Sequence, residues 1–321
     1  METDYYKLAE SLAGLPVERL TACRSGRNSQ VYQVVCCKAT FALKSYPPQT
    51  LDTRDRLGTE LKALKFYANN PYTPRLLAVD IPHRAVLLEW IEGSQICTPG
   101  AAEIDQALDF ISRTHAAEAG ADFGLASEPC LCGADLFRHV GQRLEKLQQI
   151  AHQHADLKYF LEQELQASLE KASLQAQGAN FSVPLSQPAL IPADFGFHNA
   201  IKTAAGKLYF IDFEYFGWDD PVRLAADFLL HPGMTLDPQH GQRFRQGMMD
   251  IYHSDKEFER RLLQLLPLYG LRWVLLLLNE FLPERWQARV FSGEQATWHQ
   301  IKTQQLEKAR LALVKANSCL S

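Results

Sequence analysis

Apolar and polar residues alternate in short stretches through roughly the first hundred positions of the chain, and helical spacing takes over afterwards. Arg19 to Arg24, Val31 to Cys36 and Phe41 to Tyr46 carry strand patterns separated by SGRNSQ and CKAT, which predicts an antiparallel meander. Between Leu51 and Asn69 the spacing of Leu57, Leu61, Leu64 and Ala68 predicts one amphipathic helix, stopped by Asn69-Asn70-Pro71. Two more strands are predicted at Arg75 to Val79 and Ala85 to Ile91, and Gly93 to Gly100 reads as a linker. Helical patterns follow at 101–117, 134–151 and 154–177. Asp220 caps a further helix that begins with Pro221, and segments near 239–253, 256–282 and 293–316 complete a helical region. The pattern predicts an α+β protein of two lobes, residues 1–93 and 94–321.

Composition narrows the class. A chain of 321 residues with 46% hydrophobic and 22% charged positions belongs with ordinary globular proteins, and its length favours two domains over one. A net charge of −4, with no run of Lys and Arg interleaved with aromatics, speaks against a nucleic-acid partner. Seven cysteines without a CxxC pair are expected to be free thiols in a reducing compartment. The segment METDYYKLAESLAGL carries acids and tyrosines where a secretion signal needs a basic start and an apolar run. The apolar stretch Trp273 to Leu278 is far shorter than the roughly 20 residues of a membrane helix. A cytoplasmic location without membrane association is expected, as a monomer or homodimer.

The segment Ile191 to Asp212, IPADFGFHNAIKTAAGKLYFID, holds the densest candidate chemistry. Asp194 stands five residues before Asn199, and an apolar strand, Leu208 to Ile211, delivers Asp212 and then Glu214. Hard oxygen donors such as these suit Mg2+, which keeps several waters and completes its shell with phosphates. The same residues would equally cap turns, end a strand or serve metal-dependent hydrolysis. In FALK, alternation puts Ala42 and Lys44 on one strand face, so Lys44 either reaches phosphates beside a small residue or is simply solvated. Glu60 borders the apolar stripe of its helix, where it pairs either with Lys44 or with Lys62 or Lys65 along the helix. Ser25, Gly26, Arg27, Asn28 and Ser29 form a glycine-poor turn whose backbone amides could cover phosphates.

Lys44, Glu60, LLEWIEG from Leu87 to Gly93, DFGFHN and IDFEYFGWDDP, in that order, resemble the aminoglycoside phosphotransferase and choline kinase-like family over roughly residues 20 to 230. The resemblance implies a bilobal, protein-kinase-like fold with an N-terminal nucleotide-binding lobe and a catalytic, acceptor-binding helical lobe. It implies ATP-dependent phosphorylation of a hydroxyl on a small-molecule acceptor such as a sugar, aminoglycoside or amino alcohol. Asp194 is then the base, while Asn199 and Asp212, with Glu214 beside them, hold Mg2+. Lys44 contacts phosphates and Glu60 positions it, Ala42 leaves room for the base, and Glu89, Trp90 and Ile91 offer backbone hydrogen bonds to adenine. Pro192 stands where the family often has His, and Glu214 replaces the glycine of a protein-kinase DFG, which points to small-molecule acceptors. A non-catalytic nucleotide-binding, regulatory module is the alternative.

Overall fold

The computed structural model describes residues 4–23, 29–48, 54–177, 182, 185, 187–291 and 295–320. Helix α1 (Tyr5–Ala13) is followed by strands β1 (Val17–Cys23), β2 (Gln30–Cys36) and β3 (Ala39–Ser45), then α2 (Arg56–Phe66), β4 (Leu76–Asp80), β5 (Ala85–Glu89) and β6 (Ser94–Gln95). Next come α3 (Ala101–Ala117), α4 (Gly133–Ala151), α5 (Ala155–Tyr159), a π-helical turn and α6 (Gln166–Ala176), with β7 at Ala189–Ile191. Strands β8 (Ala200–Lys202), β9 (Leu208–Phe210) and β10 (Gly217–Asp219) lead into α7 (Pro221–Leu230), α8 (Pro238–Ile251), α9 (Phe258–Leu278), α10 (Pro283–Phe291) and α11 (Trp298–Asn317). The chain forms two compact units. The first comprises Met1–Cys97 with Gly196–Gly217, and the second Thr98–Phe195 with Trp218–Ser321.

In the first unit a five-stranded antiparallel sheet runs β1-β2-β3-β5-β4. Alternation along β3 sends Leu43 to one face, where it packs with Val34, Leu87 and, from α1, Leu8 and Ala9. Helix α1 was not assigned from the spacing, although its signals are present: the Asp4 side chain caps Lys7 N, and Gly14 closes the helix at φ 63°. Gly93 allows a close crossing, since a Cβ there would stand 2.4 Å from the Lys202 carbonyl oxygen. That approach lets β6, inside the expected linker, pair with β8, which in turn pairs with β9.

The second unit is helical around α9, which packs against α4, α6, α7 and α11. Gly270 permits a close approach to α11, because a Cβ there would lie 2.6 Å from Ala316 Cβ. The 24 residues Phe258–Phe281 are long and apolar enough, by length and composition, to cross a membrane. Their apolar run is therefore longer than the short stretch around Trp273 suggests, and 67% of its most apolar window is buried within the protein, as befits a core helix. Helix α7 starts as its sequence predicts, with Pro221 at the first turn and the Asp220 carboxylate accepting from Val222 N.

Candidate active site

Within the first unit the anchors are aromatic. Phe213 lies 5.0 Å from the Tyr67 ring, and Phe216 5.4 Å from Tyr67 and 5.8 Å from Phe66, at the end of α2. With Phe213 and Phe216 tied to α2, the intervening carboxylates of Asp212 and Glu214 meet Lys44, which β3 supplies on the face opposite Leu43. The Lys44 ammonium donates to Glu60 Oε2 at 2.5 Å and to Asp212 Oδ1 at 2.6 Å, with Glu214 Oε2 at 3.9 Å. Tyr46 Oη donates to the same Glu60 oxygen at 2.6 Å. Of the two readings of Glu60 the first holds: its partner is Lys44 rather than a lysine further along α2.

Lys44 is only 6% exposed. Burial alone would favour its neutral form, but Asp212, Glu60 and Glu214 together outweigh that cost and hold its pKa well above the usual lysine value. Glu214 moves the other way: burial, and then the Asp212 charge, raise its carboxyl above the ordinary range despite Lys44 and Arg56. Arg56 is a site residue the sequence reading missed. From the first turn of α2 its Nη1 forms an ion pair with Glu214 Oε1 and donates to Tyr215 Oη at 2.7 Å, while Ser29 Oγ donates to Glu214 Oε2 at 3.1 Å. Only the Glu60-like position of Arg56 on the helix face would have flagged it, and its partner lies 158 residues away.

The β8–β9 hairpin brings Asn199 to Asp212. Ala200 pairs with Phe210, and Ile211 N donates to Asn199 O at 2.9 Å, so the two residues flank the open end of the hairpin. Asp212 has φ 70°. The Glu60, Asp212 and Glu214 carboxylate oxygens lie within 4.8 Å of one another around the Lys44 ammonium, and Asn199 and Asp212 carry hard oxygen donors of the kind magnesium takes. Ala42 lies opposite Leu88 in the sheet. Glu89 ends β5, its N–H donating to Arg75 O at 2.9 Å and its carboxylate accepting from Arg75 Nε at 3.2 Å. Trp90 Nε1 donates to Glu92 at 2.9 Å, and Ile91 is buried. Ser25, Gly26 and Asn28 lie outside the described residues.

Asp194 belongs to the second unit. It follows β7, and its neighbour Phe195 stacks on Phe110 of α3 at 5.3 Å and on Phe228 of α7 at 5.8 Å, fixing the loop. Its φ is 71°. His231, which closes α7, points Nε2 at Asp194 Oδ1 across 3.6 Å. Gly233 N donates to His231 Nδ1 at 3.0 Å, so Nδ1 is the acceptor nitrogen of a neutral ring and Nε2 carries the proton facing the carboxylate. The ring stands edge-on to Trp273 of α9 at 4.5 Å, and Trp273 Nε1 donates to Asp227 Oδ1 at 2.9 Å. Asp227 therefore braces the wall beside Asp194, as its place on α7 leads one to expect. Asp219 and Asp220 are buried, and Asp219 is held by Arg223 at 2.6 Å and Cys130 N at 2.8 Å.

The sequence profile of the phosphotransferase enzyme family matches residues 19–266. Among curated proteins no sequence match is found. Solved structures with the same fold include the choline kinase LicA from Streptococcus pneumoniae, at 17% identity and a TM-score of 0.62 over 98% of this chain and 100% of that one. A spectinomycin phosphotransferase in complex with ADP and spectinomycin aligns at 10% identity and a TM-score of 0.66, covering 96% and 97%. An ethanolamine kinase from Plasmodium vivax aligns at 14% identity and a TM-score of 0.57, covering 94% and 83%. The α+β, protein-kinase-like fold is thus shared, with an antiparallel sheet in the N-terminal part and helices in the C-terminal part.

Proposed function

The chain belongs to the phosphotransferase enzyme family, and from that premise we propose that it transfers the terminal phosphoryl group of ATP to a hydroxyl of a small molecule. The observation that supports this best is the buried Lys44, bridged between Glu60 and Asp212. A strand lysine held by two carboxylates costs desolvation and gains little stability, so its retention fits a group kept extended to meet phosphate oxygens. In this reading Glu60 and Tyr46 fix the direction of Lys44, and Ala42 leaves space for adenine, which the backbone of Glu89, Trp90 and Ile91 borders. Ser25, Gly26, Asn28 and Ser29 cover the phosphates.

Asn199 and Asp212 would hold magnesium, with Glu214 beside them through the oxygen that faces Lys44. When bound, the metal neutralises charge on the phosphate oxygens. Asp194 accepts the acceptor hydroxyl's proton, and His231 Nε2–H keeps the carboxylate turned toward that hydroxyl. An aspartate of ordinary basicity suffices, because a loose transition state takes most of its rate from positioning and electrostatics. Cysteines that are all free thiols agree with a reducing, cytoplasmic location.

Asp194→Asn tests the assignment. ADP release in the presence of acceptor should fall by about 10²–10⁴-fold, the usual worth of a positioned base, while the rise in melting temperature with Mg-ATP persists. Near-normal turnover would remove Asp194 from its role. ATP binding without phosphotransfer to any acceptor would return the chain to the nucleotide-binding, regulatory reading.

A further inference from the structure

Arg56 occupies a position that its own helix does not explain. It follows the Asp55 cap directly, in the first turn of α2, where the positive end of a helix disfavours a cation, and it is only 3% exposed. Its partners lie on another segment. Nη1 pairs with Glu214 Oε1 and donates to Tyr215 Oη at 2.7 Å, and the guanidinium carbon stands 5.1 Å from the centre of the Tyr215 ring. The other Glu214 oxygen, Oε2, accepts from Ser29 Oγ at 3.1 Å and faces the Lys44 ammonium at 3.9 Å. Both oxygens of this carboxylate therefore already have donors from the chain.

The two acids that share Lys44 differ from each other. The Glu60 side chain is as buried as that of Glu214, at 2% and 1% exposed, whereas the Asp212 side chain is 31% exposed. Asp212 is thus the carboxylate of the three that solvent reaches. Charge points the same way: Glu60, Asp212 and Glu214 against Lys44 and Arg56, three less two, leave one excess negative charge. Mg2+ sheds its waters reluctantly and takes one or two carboxylates together with phosphates, so a single half-exposed carboxylate and an amide hold it weakly when no phosphate is present. Removing one buried cation would change that, because the attraction for a divalent ion scales with the local charge.

Resting on the reading of Asn199 and Asp212 as magnesium ligands, we propose that Arg56 is a positioning residue that keeps Glu214 occupied and the excess charge at one, so that the nucleotide-free protein rejects a divalent cation and takes it only together with phosphates. Without Arg56 the three carboxylates carry two excess charges and Glu214 Oε1 is released. A metal collected there before the nucleotide would compete with Lys44 for Glu60 and Asp212. Arg56 thereby preserves the lysine's two ion pairs until phosphates arrive.

The test uses the full chain and the metals alone, read as melting temperature. Millimolar Mg2+ or Mn2+ should leave the parent unchanged, while Mg-ADP should raise its melting temperature. Arg56→Met should gain a rise with metal alone that corresponds to at least about tenfold tighter Mn2+ binding. Arg56→Lys, which keeps the charge, should behave as the parent, and the double variant Arg56→Met with Glu214→Gln should lose the rise. A rise with metal alone in the parent, none in a folded Arg56→Met, one shared by Arg56→Lys, or one that survives Glu214→Gln would overturn the proposal. Should Arg56→Met lack a cooperative melt by itself, Mn2+ should restore it by replacing the missing positive charge, and a chain that Mn2+ does not restore counts against the proposal. The underlying reading fails by a different sign: if Mg2+ adds nothing to the rise that ADP alone gives the parent, the proposal falls together with its premise, whereas every failure above leaves that premise standing.

Discussion

The two units bury charge in opposite ways. In the first, Lys44 and Arg56 face Glu60, Asp212 and Glu214, two cations against three acids, and burial first, then the Asp212 charge, push the Glu214 carboxyl up. In the second, Arg223, Arg272 and Arg143 alternate with Asp219, Asp227 and Glu128, three against three, and Glu128 is pulled down. A balanced ladder of bidentate-capable arginines joins α4, α7 and α9 and has a structural task. An unbalanced cluster with an excess carboxylate leaves room for a cation that the chain does not itself supply. Burial of charge is common to both; the sign of the imbalance separates framework from site.

Substitution at one position in each cluster gives the sharpest contrast. Arg223→Met removes a buried guanidinium that serves Asp219, Asp227 and two carbonyl oxygens, and should lower stability by about 3–5 kcal/mol in urea denaturation. Lys44→Met should instead cost about 10²–10³-fold in kcat, the scale of one lost electrostatic donor, in a chain that still melts cooperatively. If both variants unfold alike, the distinction between framework and site collapses. A smaller effect is expected at His231, whose Nε2–H faces Asp194 Oδ1 at 3.6 Å, a polar contact longer than a hydrogen bond. His231→Ala should lower kcat by about tenfold or less with KM for ATP nearly constant, and His231→Gln, which keeps an N–H donor, should recover part of it.

The smallest effect is a pH dependence that belongs to the ladder. The folded pKa of Glu128 lies below its unfolded value, so its contribution to stability is present above about 4.5 and is lost as pH falls toward about 2. Its side chain is 46% exposed, so screening limits the contribution to about 1 kcal/mol. Glu128→Gln should therefore flatten the acid limb of the melting curve between those values; an unchanged limb would assign the acid sensitivity elsewhere.

Local chemistry made much of this legible in the sequence. The meander, the face of Lys44, the carboxylate of Glu60 at the edge of an apolar stripe and the Asp220-Pro221 start of α7 follow from periodicity and caps. What escaped was of two kinds. Helix α1 and helix α10 carried readable signals, a capping Asp4 with Gly14 in one and a leading Pro283 in the other, but both are short beside the patterns around them. Arg56 carried only its place on the Glu60 face of α2, and His231 carried none. Each acquires its meaning only from a partner far along the chain, and a buried arginine or a histidine at a helix end has no periodicity to mark it. The return of Gly196–Gly217 to the first unit is likewise a tertiary fact, since a division read along the sequence keeps neighbours together.

Two aspartates in the candidate machinery, Asp194 and Asp212, share a left-handed backbone, a conformation that costs a non-glycine residue on the order of 1 kcal/mol or more. Glycine would take the same backbone more comfortably. A population of variants selected only for endurance to heat, with no demand for turnover, would therefore drift at Asp194 first, because Asp212 also holds the buried Lys44. The chain would gain hardiness by forgetting its chemistry, and the places where it forgot would map the work it had been doing.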